Sequence, residues 1–182
     1  SDGTDNDFDG ALNCADSNCN GVSCGSGSGS LAITQDCQRT SGGGTDCALA
    51  TVNVVSDGVG ANWASFDVTA PPSSTGVSYA GTFTVYLQLS GGSGGRVKVS
   101  RSTTTLGTCN EPSSGMVACS VSLTPILNAV AGTGTFQINV MPDTTDMNAV
   151  SVLMTETGGT SYDPAVSYTY SSVCTSGSCP AP

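Results

Sequence analysis

Short runs in which apolar and polar residues alternate dominate the chain from residue 31 onward. In the clearest run, Phe83, Val85 and Leu87 alternate with threonine, tyrosine and glutamine. A period of two gives a β-strand one apolar face and one polar face. Clusters of Gly, Ser, Pro and Asp separate the runs, as is typical between strands. The runs lie at 48–55, 62–69, 82–89, 96–100, 117–123, 135–141, 149–155 and 165–173, with a weaker one at 31–35.

No helical period interrupts these runs, and residues 125–131 are too short to predict more than a turn. Many short strands without helices predict an all-β fold, a two-sheet antiparallel sandwich of jelly-roll or immunoglobulin-like topology. We lean slightly to the jelly-roll, because Trp63 lacks the flanking cysteines of an immunoglobulin core. We also predict two hairpins, one across residues 90–95 and one across residues 142–146.

The composition divides the chain into three parts. Residues 1–30 are mostly Asp, Asn, Cys, Gly and Ser, so they cannot bury enough apolar area to fold without a disulfide or a metal. We therefore predict a calcium- and cysteine-rich N-terminal segment at 1–30, a β-sandwich at 31–173 and a disulfide-closed tail at 174–182.

The N-terminal segment carries oxygen-bearing residues at the spacing of a calcium loop. Counted from Asp5, they stand at positions 1, 3, 5, 9 and 12, and Gly10 stands at position 6, where such a loop turns sharply. Calcium prefers six to eight oxygen ligands. The predicted ligands are the carboxylates of Asp5, Asp7 and Asp9, the carbonyl of Ala11, Asn13 directly or through water, and Asp16.

Residues 2–10 read DGTDNDFDG. This stretch resembles the aspartate-rich DGxDNDxDG metal-binding repeats of secreted bacterial surface proteins, which are of the thrombospondin type 3 and dockerin kind. The resemblance covers only residues 2–19. It implies a bound metal and an extracellular location, but it implies no fold for the rest of the chain. The paired loops and helices of dockerins are absent from the sequence, so cohesin docking is not implied.

The nine cysteines include no C-x-x-C pair, which favours disulfides in an oxidising compartment over a thiolate metal cluster. We predict the pairs Cys37–Cys47, Cys109–Cys119 and Cys174–Cys179. The remaining three, Cys14, Cys19 and Cys24, leave one cysteine without an intramolecular partner. It is either a free thiol or the source of a bond to another molecule. We therefore expect a protein of the cell exterior or the cell surface.

Charge and composition exclude several function classes. A net charge of -10 with four basic residues argues against nucleic-acid binding. Because the sequence has no histidine, it cannot build a Ser-His-Asp or Cys-His catalytic group, and we expect that the protein is not an enzyme. No apolar stretch is long enough for a transmembrane helix.

Three of the four basic residues, Arg96, Lys98 and Arg101, lie on or just after one predicted strand, and Arg96 and Lys98 share a face of it. They form either a solvated strand face, a protected sheet edge or a strip that contacts the acidic N-terminal segment of another subunit. Trp63 and Tyr86 fall on polar strand faces. They are the two candidates for stacking against a sugar, although packing in a core or interface also explains them.

Two functions remain. In the first, the chain is a calcium-binding, disulfide-linked structural subunit that associates with itself in a surface filament, fimbria or matrix. In the second, it is a carbohydrate-binding or adhesin module of a larger secreted protein. Exposure of Trp63 and Tyr86 in one groove would favour the second function, whereas polymers of the purified protein would favour the first.

The calcium loop gives the first testable prediction. Calorimetry of chelator-treated protein should detect one Ca²⁺ per chain, and Asp7→Ala should abolish the uptake because it removes a central carboxylate ligand. Asp163→Ala, which lies far from the loop in sequence, serves as the control and should bind normally. Calcium uptake that survives Asp7→Ala would show that the loop is only an acidic segment.

Overall fold

The computed structural model describes residue 21 and residues 23–56, 60–89, 95–143, 149–155 and 162–175. Within these ranges the chain forms twelve strands and one helix. In chain order they are β1 (Ser23–Leu31), β2 (Ile33–Thr40), β3 (Thr45–Asp46), β4 (Thr51–Ser56), β5 (Ala61–Thr69), β6 (Val77–Leu89), β7 (Arg96–Arg101), β8 (Thr104–Asn110), β9 (Met116–Ser122), α1 (Thr124–Val130), β10 (Thr135–Pro142), β11 (Val150–Leu153) and β12 (Ala165–Val173).

The strands form an antiparallel β-sandwich, which confirms the predicted fold class. In sheet A, β12 lies between β1 and β6, and β6 also pairs with β9 and β11. In sheet B the order is β3, β2, β5, β10, β7 and β8. Strand β4 pairs with β11 of sheet A and, through Val55 and Ser56, with β5 of sheet B. Hydrogen bonding therefore continues from one sheet into the other.

The core lies between the two sheets and contains the apolar face of each alternating run. Phe66 from sheet B packs against Phe83 from sheet A, with ring centroids 5.3 Å apart. Both rings are fully buried, and Phe136 is 5% exposed, as expected for apolar positions of alternating runs. Tyr168 and Tyr170 are half-buried and pack against the edge of the core.

Both predicted hairpins are wrong. Strand β7 pairs with β8 and β10 rather than with β6, and β11 pairs with β4 and β6 rather than with β10. In each case the two consecutive strands belong to opposite sheets. Their apolar faces meet the same core from opposite sides. Alternation identifies the buried face of a strand, but it does not identify the hydrogen-bonded neighbour.

Residues 124–130 form a short α-helix rather than the predicted turn. Ile126, Leu127 and Val130 of this helix are buried in the core. The side chain of Asn128 accepts a hydrogen bond from the backbone N–H of Tyr79 and donates one to its carbonyl. The helix therefore lies beside this part of β6 and is hydrogen-bonded to its backbone through a side chain. Within the described ranges, no helix is long and apolar enough to cross a membrane.

Strand β1 shows how a glycine-serine segment becomes part of a sheet. Gly27 lies opposite Tyr170 and Gly29 lies opposite Tyr168 on β12. A Cβ atom on either glycine would come within 3.0 Å of the ring of its partner tyrosine. The tyrosine rings cover the glycines, an arrangement that compensates for the missing side chains. Strand β1 therefore crosses the predicted domain boundary at residue 30.

Two of the three predicted disulfides, Cys37–Cys47 and Cys109–Cys119, are confirmed. The second does more than close a loop, because Cys109 lies on β8 of sheet B and Cys119 on β9 of sheet A. It therefore links the two sheets covalently. Cys174 is also disulfide-bonded, but Cys179 lies outside the described residues, so their pairing stays a prediction.

The contact between β1 and β12 gives a stability prediction. Gly27→Val should lower the free energy of unfolding by about 1–3 kcal/mol, because the added side chain collides with the Tyr170 ring. The control is Ser28→Val, one position along the strand on the exposed face, which should change stability by less than about 0.5 kcal/mol. Urea denaturation measures both, and equal effects would contradict the role of the ring.

Candidate functional site

The predicted calcium ligands Asp5, Asp7, Asp9, Ala11, Asn13 and Asp16 all lie outside the described residues. Among the residues that the structure does describe, no group of three or more His, Cys, Asp or Glu side chains could hold a metal ion. A search for other chemistry therefore turns to the outer faces of the two sheets.

The outer face of sheet B carries the main polar surface. Register places Arg39 opposite Trp63, and Met141 opposite Lys98. The pairing of Ala64 with Val140 brings Trp63 and Met141 side by side, so these four residues form one row across β2, β5, β10 and β7. The next row contains Cys37, Ser65, Asn139 and Ser100. Asn139 is therefore a diagonal neighbour of Trp63, at a typical distance of about 7–8 Å.

A shallow cleft lies on this face, at the end of the hairpin formed by β7 and β8. We call it the amide cleft, and it is lined by Arg101, Ser102, Gln137 and Asn139. Ser102 is the described non-glycine residue with a positive φ, 52°, which forms the tight turn between the two strands. The Gln137 amide is oriented by a 3.0 Å hydrogen bond from its nitrogen to the Asp67 carboxylate.

Asn139 gives the amide cleft its distinctive chemistry. Its side-chain oxygen is buried and accepts no hydrogen bond from the residues that the structure describes. A buried acceptor without a partner costs about 1–3 kcal/mol. Stability alone therefore does not explain an amide side chain at this position.

Three of the four basic residues of the chain lie on this face of sheet B, which we call the cationic face: Arg39 on β2, and Arg96 and Lys98 on β7. Arg101 ends β7 and has the alternation of the buried Val97 and Val99, although it lines one end of the amide cleft. Strand β7 lies between β10 and β8. The prediction of one basic strip is therefore extended by Arg39, and the alternative of a protected sheet edge is wrong.

The four cations differ in their partners. Arg96 forms an ion pair with Asp143. Arg39 donates to the hydroxyl groups of Ser65 and Thr45, at 3.2 and 3.0 Å. Within the described ranges, neither Arg39, Lys98 nor Arg101 makes an ion pair. The charges of Arg39, Lys98 and Arg101 are thus left without a carboxylate among the described residues.

Trp63 and Tyr86 do not share a groove. Trp63 is half-buried on the outer face of sheet B, whereas Tyr86 lies on β6 of sheet A. The ring of Tyr86 packs edge-on against Tyr162, with centroids 5.3 Å apart. The hypothesis that these two rings stack together on one sugar is therefore wrong. Trp63 remains a candidate by itself.

The outer face of sheet A has a different character. Hydroxyl groups stand in rows across its strands, and one row consists of Ser30, Ser167, Thr82 and Ser122. Thr84 and Ser120 are joined by a 2.9 Å hydrogen bond. Two shallow grooves on this face are lined by Ser, Thr, Gly, Ala and Tyr, with no charged residue among their described lining. This surface is polar but neutral.

Two titratable groups outside the amide cleft are perturbed. Partial burial raises the pKa of Asp36, although a hydrogen bond from the Thr155 backbone N–H opposes the shift. Burial and the neighbouring Tyr168 and Tyr170 raise the pKa of Tyr79, whose hydroxyl donates to the Pro72 carbonyl. Both contacts hold strands and loops in place, and neither group lines the cleft.

Sequence reasoning identified Arg96, Lys98, Arg101 and Trp63 but missed Arg39, Gln137 and Asn139. The alternation of β10 does place Gln137 and Asn139 on its polar face. What the sequence lacks is the pairing of β10 with both β5 and β7, which places those amides in the middle of the outer face of sheet B. The partners of a strand depend on long-range contacts that a local pattern does not encode.

Comparison with known proteins gives a limited result. No family model matches the chain, and no curated protein matches it. Among solved structures, the C-terminal CBM6 of the laminarinase LamC from Zobellia galactanivorans is similar at 17% identity and a TM-score of 0.33, over 70% of this chain and 91% of that one.

A carbohydrate-binding module, CBM6cm-2, from Cellvibrio mixtus lichenase 5A in complex with cellotriose is similar at 16% identity and a TM-score of 0.34. The match covers 76% of this chain and 94% of that chain. At these values the similarities carry no argument about what this chain binds. Its function has to be argued from the residues on its own surface.

Proposed function

We propose that this chain is a non-catalytic extracellular module that binds carbohydrate on the outer face of sheet B. The observation that carries the proposal is the amide cleft itself, in which the side chains of Gln137 and Asn139 share the outer face of β10. Sugar hydroxyl groups are both donors and acceptors, so they can bond with side-chain amides. Ser102 adds a hydroxyl group to the lining of the same cleft.

Trp63 adds an apolar surface beside the polar side chains of the amide cleft. Its ring is half-buried one row away from Asn139. A large aromatic ring with a polar tip is suited to a site that is apolar on one side and wet on the other. The C–H groups of a sugar ring can pack on Trp63 while its hydroxyl groups reach the amide cleft.

The charge pattern supports binding rather than hydrolysis. Glycoside hydrolysis ordinarily requires two carboxyl groups about 5–9.5 Å apart. The described residues that line the amide cleft include no Asp or Glu. Asp67 lies on the same face, but one of its oxygens accepts the hydrogen bond from Gln137.

The test compares Asn139→Val with Thr169→Val, which makes a similar replacement on the outer face of sheet A. Asn139→Val should weaken retention by the recognised polysaccharide in affinity gels about tenfold, equivalent to 1.4 kcal/mol. Its free energy of unfolding should stay the same or rise, because an unsatisfied buried acceptor is removed. Thr169→Val should bind normally.

A purely structural role for Asn139 predicts the opposite pattern, with lower stability and unchanged binding. The polysaccharide panel should include neutral glucans, galactans and xylans together with acidic polysaccharides. If the unmodified protein is retained by none of them, the proposal fails.

We propose further that residues 1–24 bind calcium, as the spacing of Asp5, Asp7 and Asp9 suggests. Extracellular calcium would neutralise part of the acidic charge of this segment. The confirmed disulfides are compatible with an oxidising location outside the cell. Calcium binding and carbohydrate binding occupy different parts of the sequence and are independent proposals.

A structural subunit is the second candidate, and one observation favours it. Strand β1 is an edge strand of sheet A in the described ranges, where it pairs with β12 on one side. It contains no charged residue. Natural edge strands are usually protected from pairing by charges or proline. An unprotected edge can accept a strand from another copy.

Sedimentation tests this candidate. Polymers should form at high protein concentration, and Gly25→Lys, which places a charge on the β1 edge strand, should weaken them. Thr108→Lys on β8 is the control because it adds the same charge to the opposite end of the sandwich. A chain that sediments as a monomer at all concentrations, with and without calcium, is not a polymer subunit.

A further inference from the structure

Strand β1 contributes few side chains to the fold. Among its described side chains, only Leu31 belongs to the hydrophobic core. The serines that alternate with its glycines are exposed. The attachment of β1 therefore depends mainly on its backbone ladder with β12, which runs from Ser23 opposite Val173 to Leu31 opposite Val166.

The surface of β12 that β1 covers is shaped for glycine, and we call it the glycine slot. The rings of its two tyrosines lie against Gly27 and Gly29, and a Cβ atom on either glycine would come within 3.0 Å of ring atoms. These two positions therefore have no room for a larger side chain. Leu31 fills the end of the slot and is 9% exposed. The slot thus fits the spacing Gly-x-Gly-x-Leu, which occurs once in the sequence, at 27–31.

A single residue connects β1 to β2. Leu31 pairs with Val166 in sheet A. The carbonyl of Ala32 already accepts a 2.9 Å hydrogen bond from the backbone N–H of Thr69 in sheet B, and β2 begins at the next residue. The chain therefore crosses from one sheet to the other within one residue. Short connections favour domain swapping, in which an element docks on a second copy instead of on its own chain.

We infer that the glycine slot is an interface between copies of this chain, in which β1 of one copy replaces β1 of another. The incoming strand makes the same backbone and ring contacts as the strand that it replaces, because its sequence and register are identical. The backbone change is concentrated at Ala32, which extends instead of turning. The exchange is favoured at high protein concentration, since it brings two copies together.

This inference goes beyond the proposed carbohydrate binding and does not depend on it. It gives the structural-subunit candidate a defined contact. The contact differs from addition of a strand to the exposed edge of β1, in which β1 stays on its own β12. Reciprocal exchange closes a dimer, whereas onward exchange from copy to copy builds a chain. In both arrangements, β1 of one copy pairs with β12 of another.

The test mixes two single variants of the full chain, Ser28→Cys and Thr169→Cys. These positions lie opposite each other on the exposed face of β1 and β12, where Cβ atoms are typically about 4.5–5.5 Å apart. The variants are mixed at high concentration in urea below the unfolding midpoint, returned to buffer and treated with a short bismaleimide linker. Each variant carries one of the two introduced thiols, so a link between them joins two chains.

Peptide mapping by mass spectrometry measures this link and separates it from links that involve native cysteines. The control mixes Ser28→Cys with Thr108→Cys, which places the second thiol at an exposed position on β8. The mixture with Thr169→Cys should give at least tenfold more linked product than the control mixture. Equal yields from the two mixtures overturn the inference.

A second measurement tests the connection between β1 and β2. Insertion of Gly-Ser-Gly-Ser after Ala32 in both variants lengthens the connection, so that β1 returns more readily to its own β12. The yield of linked product should fall at least fivefold, and thermal unfolding checks that the fold is intact. A yield that the insertion leaves unchanged also overturns the inference, because the exchange depends on the short connection.

The outcomes separate this inference from the two proposed functions. Polymers that form without the link between positions 28 and 169 overturn strand exchange and leave the structural-subunit candidate standing. The link in a protein that sediments only as monomers and dimers supports exchange and overturns the filament. Neither result bears on carbohydrate binding, which the affinity gels test separately.

Discussion

The contact of one apolar face from each sheet across a shared interior is the interaction on which this fold depends. Phe66 and Phe83 meet at its centre, and the core around them includes buried valines from eight strands. A strand that buries every second side chain must expose the others. Core packing therefore also determines which residues form the two outer faces, where binding can occur.

The outer faces of the two sheets differ in their exposed side chains. Sheet A exposes rows of Ser and Thr hydroxyl groups without a charged residue in its described grooves. The outer face of sheet B carries three of the four basic residues, a half-buried tryptophan and an amide whose buried oxygen has no partner among the described residues. The two faces therefore offer different chemistry to a ligand.

Covalent and aromatic contacts hold the margins of the sandwich where the apolar core is thin. The Cys109–Cys119 disulfide links β8 of sheet B to β9 of sheet A. In a chain-entropy model, a loop of this length adds roughly 2–3 kcal/mol. On the opposite margin, Tyr168 and Tyr170 cover the glycines of β1. A segment without core-forming side chains is thereby ordered by residues of its neighbour.

The sequence by itself determined the fold class, the buried face of most strands and two disulfide pairs, because alternation and short cysteine spacings are local properties. It also predicts a calcium loop that the described residues do not include. It did not determine that residues 23–30 form a strand, since their partners are tyrosines about 140 residues away in sequence. Nor did it determine the amide cleft. Asn139, Trp63 and Lys98 come from three strands whose pairing depends on how the sheets close around the core. Only the tertiary structure decided that these three residues would share one face.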